Sequence, residues 1–208
     1  MIEVLTANTP NGKKITIMLE EIGFKYKIKK ININKDEQFN PEFRAISPFS
    51  KIPVIIDHDN QVSLFESGAI LIYLGEKSGQ FYPEKNKHLI NQWLMGQMAY
   101  VGPMLGQHHQ FHHYNPGKSK FGEERYFIIA KRLYEDLDHH LSNSDFLAGK
   151  NYSIADIATF PWIARHEWHD IGLKNYKNLS RWYEQISKRK AVINGFDVLK
   201  KGERIPKI

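Results

Sequence analysis

Two short segments carry side chains suited to holding a small zwitterionic or anionic ligand. Glu66-Ser67 opens a helical pattern. The free N–H groups of a helix start, together with a hydroxyl, suit a carboxylate, and an adjacent Glu suits an ammonium, so the pair can read an amino-acid head group. Ser67 equally reads as a plain helix cap. In Asn8-Thr9-Pro10-Asn11-Gly12, Thr9 offers a hydroxyl and Asn11 an amide donor beside a helix expected to start near Gly12. Thr9 as a turn residue and Asn11 as a cap are compatible with that use. The run Gln107-His108-His109-Gln110-Phe111-His112-His113 places two His pairs at the i, i+4 spacing of helical metal ligands. It has no HExxH pattern, no thiolate and no carboxylate, so no metal site is expected. His166 and His169 read as surface or satisfied core.

Composition narrows the chemistry further. The 208 residues include no Cys, which excludes disulfides, thiolate metal sites and Cys nucleophiles; any thiol chemistry must borrow its sulfur. Lys plus Arg is 29 against 23 Asp plus Glu, but the basic residues are scattered, so no nucleic-acid partner is expected. No apolar run is long enough for a membrane span, and Met1 to Leu5 lacks the pattern of a signal peptide, from which a cytoplasmic location is expected.

These residues are placed by two differently patterned halves. Ile2, Val4 and Leu5 read as a strand; Ile15, Met18, Leu19 and Ile22 as one helix face ending at Gly23; and Tyr26, Ile28, Ile31 and Ile33 as a second strand. Asn40 to Arg44 suggests a helical turn. Ile52 to Ile56 and Val62 to Phe65 form a hairpin, and the helix after Glu66-Ser67 carries Ile70 and Leu74. Pro53 marks a strand start and holds Ile52 extended. From residue 87 the periodicity is helical: Leu89 to Val101 with a kink or break at Gly102-Pro103, Tyr126 to Leu141, a Ser153-x-x-Asp156 capping box, then Leu179 to Ile186 and Val192 to Leu199. Asp156 is assigned to folding. Gly202 to Ile208 is expected to fray.

The order βαβ, ββα and then helices, with Lys51-Ile52-Pro53-Val54, Phe65-Glu66-Ser67-Gly68-Ala69-Ile70 and Ser153-Ile154-Ala155-Asp156, resembles the cytosolic glutathione transferase family over the whole chain. Thr9-Pro10-Asn11-Gly12-Lys13 and Gly102-Pro103-Met104-Leu105-Gly106-Gln107 are similar to its nu class, the bacterial glutathione-dependent disulfide-bond reductases. The resemblance implies an α/β thioredoxin-like domain at 1–80, a linker at 81–86 and an all-helical domain at 87–208, in a homodimer. It implies a cis Ile52-Pro53 bond, with the Ile52 edge pairing the cysteinyl part of glutathione, and it makes Glu66 and Ser67 the γ-glutamyl site. Gln38 and Lys51 would reach the glycyl end, and Arg125 would contact ligand from the helical half; without the resemblance Gln38 and Lys51 read as solvated surface and Arg125 as a surface ion pair. Gln107 or His108 would meet a second glutathione or the substrate.

Family members commonly use Tyr, Ser or Cys in the loop after the first strand. Here the first Tyr is Tyr26 and the first Ser is Ser47, which leaves Thr9 and Asn11 as the catalytic donors. The implied reaction is reduction of a small disulfide by bound glutathione, with peroxide reduction and weak conjugation of electrophiles beside it. Glutathione is then a co-substrate, and no metal is involved. The alternative is a non-catalytic regulatory or assembly module on the same fold.

Overall fold

A computed structural model describes residues 1–208. Four strands, β1 (Ile2–Thr6), β2 (Tyr26–Lys30), β3 (Val54–Asp57) and β4 (Val62–Phe65), form one sheet in the order β2-β1-β3-β4. β1 runs parallel to β2 and antiparallel to β3, and β3 pairs antiparallel with β4. Successive side chains point to opposite faces. Leu5 and Val54 therefore share one face, where Ile31 and Phe43 cover them.

The first helices are α1 (Pro10–Ile22), α2 (Pro41–Ile46) and α3 (Ser67–Ser78). α1 begins two residues before the expected Gly12, because Thr9 caps it through a hydroxyl that accepts from Gly12 N at 3.1 Å and Pro10 occupies the first turn. Gly23 closes it with φ 69°. β2 stops at Lys30, short of the expected Ile33. Ile31 N still donates to Thr6 O at 2.8 Å, but Ile33 is exposed and starts a 3-10 turn that Asn32 caps through its side chain.

The helical half contains α4 (Lys87–Gly96), α5 (Gly102–His108), α6 (Lys120–Leu141), α7 (Ile154–Ile163) and α8 (Lys177–Ser187). All ten residues of α7 are buried, eight of them without a polar side chain, as suits a helix at the centre of its unit. The capping box forms as expected: Ser153 accepts from Ala155 N, and Asp156 accepts from Ser153 N at 3.0 Å. Gly102-Pro103 does not break the chain. Gln97–Val101 winds as a π-helical turn just before it, so the helix passes into α5 with Gly102 still helical.

The C-terminal segment departs from the expected boundaries. Backbone packing groups residues 1–83 with 189–204, and 84–188 with 205–208, so part of the expected 87–208 domain belongs with the sheet. α9 (Lys190–Asp197) lies on α1: Gly195 O accepts from Thr16 Oγ1 at 2.7 Å, and a Cβ on Gly195 would sit 2.6 Å from Ile17 Cα. Arg189 grips Glu21 with bonds of 2.5 and 2.8 Å. The tail is pinned where fraying was expected, since Glu203 bonds Lys13 and Asn8, and Pro206 O accepts from Tyr183 OH at 2.7 Å.

Candidate functional site

The sheet register collects the chemistry at one end. Thr6 pairs with Lys30, Leu5 with Val54, and Val54 with Phe65. Hence the loop leaving β1, the segment leaving β2, the segment entering β3 and the segment leaving β4 all emerge from the same edge of the sheet. They carry Thr9 and Asn11, Gln38, Lys51 to Pro53, and Glu66 and Ser67.

The first loop is held tightly. A Cβ on Gly12 would lie 2.4 Å from Ala7 O and 2.5 Å from Thr6 Oγ1, so this turn closes only around glycine. Asn8 Nδ2 donates to Glu203 Oε2 at 2.8 Å. Thr9, read in the sequence as a turn residue with Asn11 as the cap, is itself the cap: its oxygen accepts from Gly12 N, and its O–H hydrogen is a separate donor. Asn11 follows Pro10 within the first turn and is half-buried.

Ile52-Pro53 is a cis peptide bond. Ile52 precedes β3 and packs against the Leu5 and Val54 cluster. Ser47 staples this segment, accepting from Lys51 N at 3.1 Å and donating to Lys51 O at 2.7 Å, while Lys51 is exposed. Gln38 lies in a 3-10 turn, Glu37–Phe39, and its Oε1 is buried with no hydrogen-bond partner.

At the start of α3, Glu66 occupies the cap position with φ 68°, and its carbonyl accepts from Ile70 N at 3.0 Å. The capping alternative for Ser67 is not realised: it is the first helical residue, and no side chain caps this end. Ser67 is instead buried beside Lys14, whose Nζ donates to its Oγ at 3.2 Å. Burial lowers the Lys14 ammonium well below its ordinary value, and the Glu66 charge partly restores it. Lys14 was missed in the sequence because lysine is by default a surface residue. The one available signal was that Lys13-Lys14 interrupts the apolar face of α1.

The helical unit carries the remaining candidates. Gln107 and Arg125 are exposed, Arg125 lying 6.0 Å from the Tyr126 ring. His108, expected to meet a ligand, is fully buried instead; it stacks on His112 at 4.7 Å, and its Nε2 bonds His169 O at 3.0 Å. In the same cluster His113 stacks on Trp168 at 3.9 Å, and His169 is completely buried. No three His, Asp or Glu side chains are grouped to hold a metal ion.

A βαβ-ββα sheet domain with the candidate segments gathered at one end of its strands, joined in sequence to a helical bundle, is the architecture of the glutathione transferase class. The family described as Glutathione S-transferase, N-terminal domain matches residues 4–76, and Glutathione S-transferase, C-terminal domain matches 127–190. The chain is 45% identical over 198 residues to Disulfide-bond oxidoreductase YfcG of Escherichia coli, covering 92% of each. It belongs to the glutathione S-transferase family. A Burkholderia graminis glutathione transferase, solved with two glutathione molecules bound per subunit, superposes with a TM-score of 0.90 at 37% identity, covering 97% of this chain and 89% of that one. A Pseudomonas putida glutathione transferase, solved with one glutathione disulfide per subunit, gives 0.89 at 39% identity, covering 95% and 91%.

Proposed function

We propose that this protein is a glutathione-dependent disulfide-bond oxidoreductase that uses the thiol of bound glutathione. The observation that carries the reading is the convergence, on one sheet edge, of Asn11, the cis Ile52-Pro53 segment and Glu66-Ser67 backed by Lys14. Relatives named for disulfide-bond oxidoreduction or solved with glutathione support it. Ser67 and the N–H groups of α3 take the glutamyl carboxylate, and Glu66 takes the ammonium. The Ile52 backbone pairs with the cysteinyl unit as a peptide adds to a sheet edge, and Gln38 and Lys51 take the glycyl end. Arg125 and Gln107 serve ligand from the helical unit.

A free thiol has a pKa of about 8.5, so little is thiolate at neutral pH. Thr9 O–H, the Asn11 amide and the start of α1 stabilise the anion. The thiolate attacks a sulfur of the substrate disulfide, forming a mixed disulfide and expelling a substrate thiolate that takes a proton from solvent. A second glutathione thiolate attacks the glutathione sulfur of that mixed disulfide, giving glutathione disulfide and releasing the other substrate thiol. Two glutathiones are oxidised for each disulfide reduced, and the cysteine-free protein supplies only position and charge. Peroxide reduction and slow conjugation of electrophiles use the same thiolate. The protein acts in the cytoplasm as a homodimer.

The test is glutathione-dependent reduction of bis(2-hydroxyethyl) disulfide, with chlorodinitrobenzene conjugation in parallel, on wild type, Asn11→Ala and Glu66→Gln. Disulfide turnover exceeding conjugation and falling in both variants is expected. Retained glutathione binding without turnover would make the chain a binding module. Light scattering gives the oligomeric state.

A further inference from the structure

Two neighbouring lysines in the first turns of α1, Lys13 and Lys14, are 2% and 1% exposed. An ammonium is strongly hydrated, so burying one needs compensating partners. The two are used differently. Lys13 reaches Glu203 at 2.7 Å and lies 3.9 Å from the Phe196 ring centroid, which ties the C-terminal segment to α1. Lys14 turns to α3 and donates to the hydroxyl of its first residue.

We infer that Lys14 is a positioning residue of the glutathione site: its buried ammonium turns the Ser67 hydroxyl toward the ligand's glutamyl carboxylate and balances that carboxylate's charge. The inference rests on the reading of Glu66-Ser67 as the glutamyl subsite. An ammonium only donates, so protonated Lys14 makes Ser67 Oγ an acceptor and directs the hydroxyl hydrogen elsewhere. A neutral amine has a lone pair and permits the reverse arrangement. The protonated state is therefore the one in which Ser67 serves an anion. A ligand carboxylate at the start of α3 adds negative charge beside Lys14 and draws its ionisation back up against the cost of burial. Ligand binding and protonation of Lys14 thus favour each other by the same factor.

Glu66 is a charge that raises the ionisation of Lys14, and the other charges on the elements around α1 have partners or positions of their own. Lys13 is held by Glu203, Glu21 by Arg189 and Glu20 by Tyr26. On α3, Lys77 pairs with Asp57, and Glu76 is exposed near the far end. On α9, Asp197 accepts from Gly202 N, and Lys190 stands at the start of the helix.

The experiment measures proton uptake when S-methylglutathione binds, by calorimetry in buffers of different ionisation enthalpy. The thioether removes the thiol's own titration. At pH values below the ordinary ammonium range, where a Lys14 ionisation lowered by burial can still be drawn back up by ligand, wild type is expected to take up more proton than Lys14→Met. The variant should bind about ten- to a hundredfold more weakly, the worth of one hydrogen bond to a charged group. Equal uptake and affinity in the two would leave Lys14 a structural residue and overturn the inference. If Lys14→Met does not fold, wild type decides alone by comparison with the same ligand lacking its glutamyl α-carboxylate. Uptake with the first ligand and not the second is expected, and equal uptake overturns the inference. Glu66→Gln and Ser67→Ala separate the two levels. If both bind like wild type the glutamyl subsite itself is misplaced, whereas weakened binding in them and none in Lys14→Met removes only the role of Lys14.

Discussion

The Nε2 atoms of His109 and His169 meet at 2.7 Å in the interior of the helical unit, so the pair shares one proton between two nitrogens. Tyr134 OH lies 2.6 Å from Nδ1 of His169, and burial raises its own pKa, so the phenol donates. His169 then carries its hydrogen on Nε2 and donates to His109. Both rings are neutral. Burial, then Arg165 and neighbouring imidazoles, holds His109 at about 3, and burial with His109 beside it holds His169 well below its ordinary value.

This arrangement makes stability depend on pH with a definite sign. In the unfolded chain both rings titrate near about 6.5, above their folded values, so below that pH the unfolded state binds more protons. The stabilisation is complete above about pH 6.5 and is lost as the pH falls below it, for His109 down to about 3, by up to about 1.4 kcal/mol per pH unit for each ring still neutral in the fold. Denaturant unfolding at neutral and mildly acidic pH should show this loss, and His109→Gln, which cannot titrate, should flatten it by one ring's worth. An unchanged slope would mean that the pair is charged in the folded state.

Gly12→Ala drives a Cβ into Ala7 O and Thr6 Oγ1, at 2.4 and 2.5 Å. The loop that carries Thr9 and Asn11 must move. Overpacking of this kind costs about 1–3 kcal/mol, or several degrees in Tm at this chain length. Calorimetry should show that loss together with reduced disulfide turnover; a variant matching wild type in both would remove the close approach as a constraint.

In the proposed reaction Asn11 donates to the bound thiolate, and Asn11→Ala removes that donor. A hydrogen bond to a charged group is worth about 1.5–3 kcal/mol, and each pKa unit corresponds to about 1.4 kcal/mol. The pH–rate profile for disulfide reduction should therefore shift to more alkaline pH by about one to two units. A lower rate with an unshifted profile would assign Asn11 to binding alone.

Glu203→Gln removes the carboxylate that bonds both Lys13 and Asn8, at 2.7 and 2.8 Å. Breaking a buried pair costs about 3–5 kcal/mol. The Phe196 ring keeps part of the cation's stabilisation, so about 2–3 kcal/mol is expected from denaturant midpoints. A loss below about 0.5 kcal/mol would place this pair among ordinary surface ion pairs.

Asp156 accepts from Leu147 N, Ser153 N, Ser153 Oγ and Trp182 Nε1, at 2.9 to 3.0 Å. Asn offers one oxygen to those donors and turns an NH2 group on the rest. Asp156→Asn should cost about 3–5 kcal/mol, as when one partner of a buried charged network is removed. Guanidinium unfolding measures it, and a near-neutral result would contradict the folding role.

Local pattern was sufficient for most of the elements. Apolar spacing at Ile15, Met18, Leu19 and Ile22, the Gly23 stop and the Ser153-x-x-Asp156 box depend on neighbours along the chain, and these features stand in the structure where the residues indicated. The absence of cysteine decided by itself that any thiol chemistry uses a borrowed sulfur. The segments of the candidate site were legible for the same reason, since Ile52-Pro53 and Glu66-Ser67 are short motifs at element ends.

What lay beyond the sequence depends on which surfaces meet. The amphipathic pattern of Val192 to Leu199 specifies a buried face but not its partner, and only the fold sets that helix on α1, 179 residues away from Gly195 to Thr16. His108 looked available to ligand, yet the packing of His169, His112 and Phe127 encloses it. Lys14 was not singled out from the sequence; it is buried in the fold, where Ser67 Oγ lies 3.2 Å from its Nζ. Periodicity reports that a side chain is buried or exposed on average for its type, whereas the depth of a charge and the group opposite it are properties of the assembled tertiary structure.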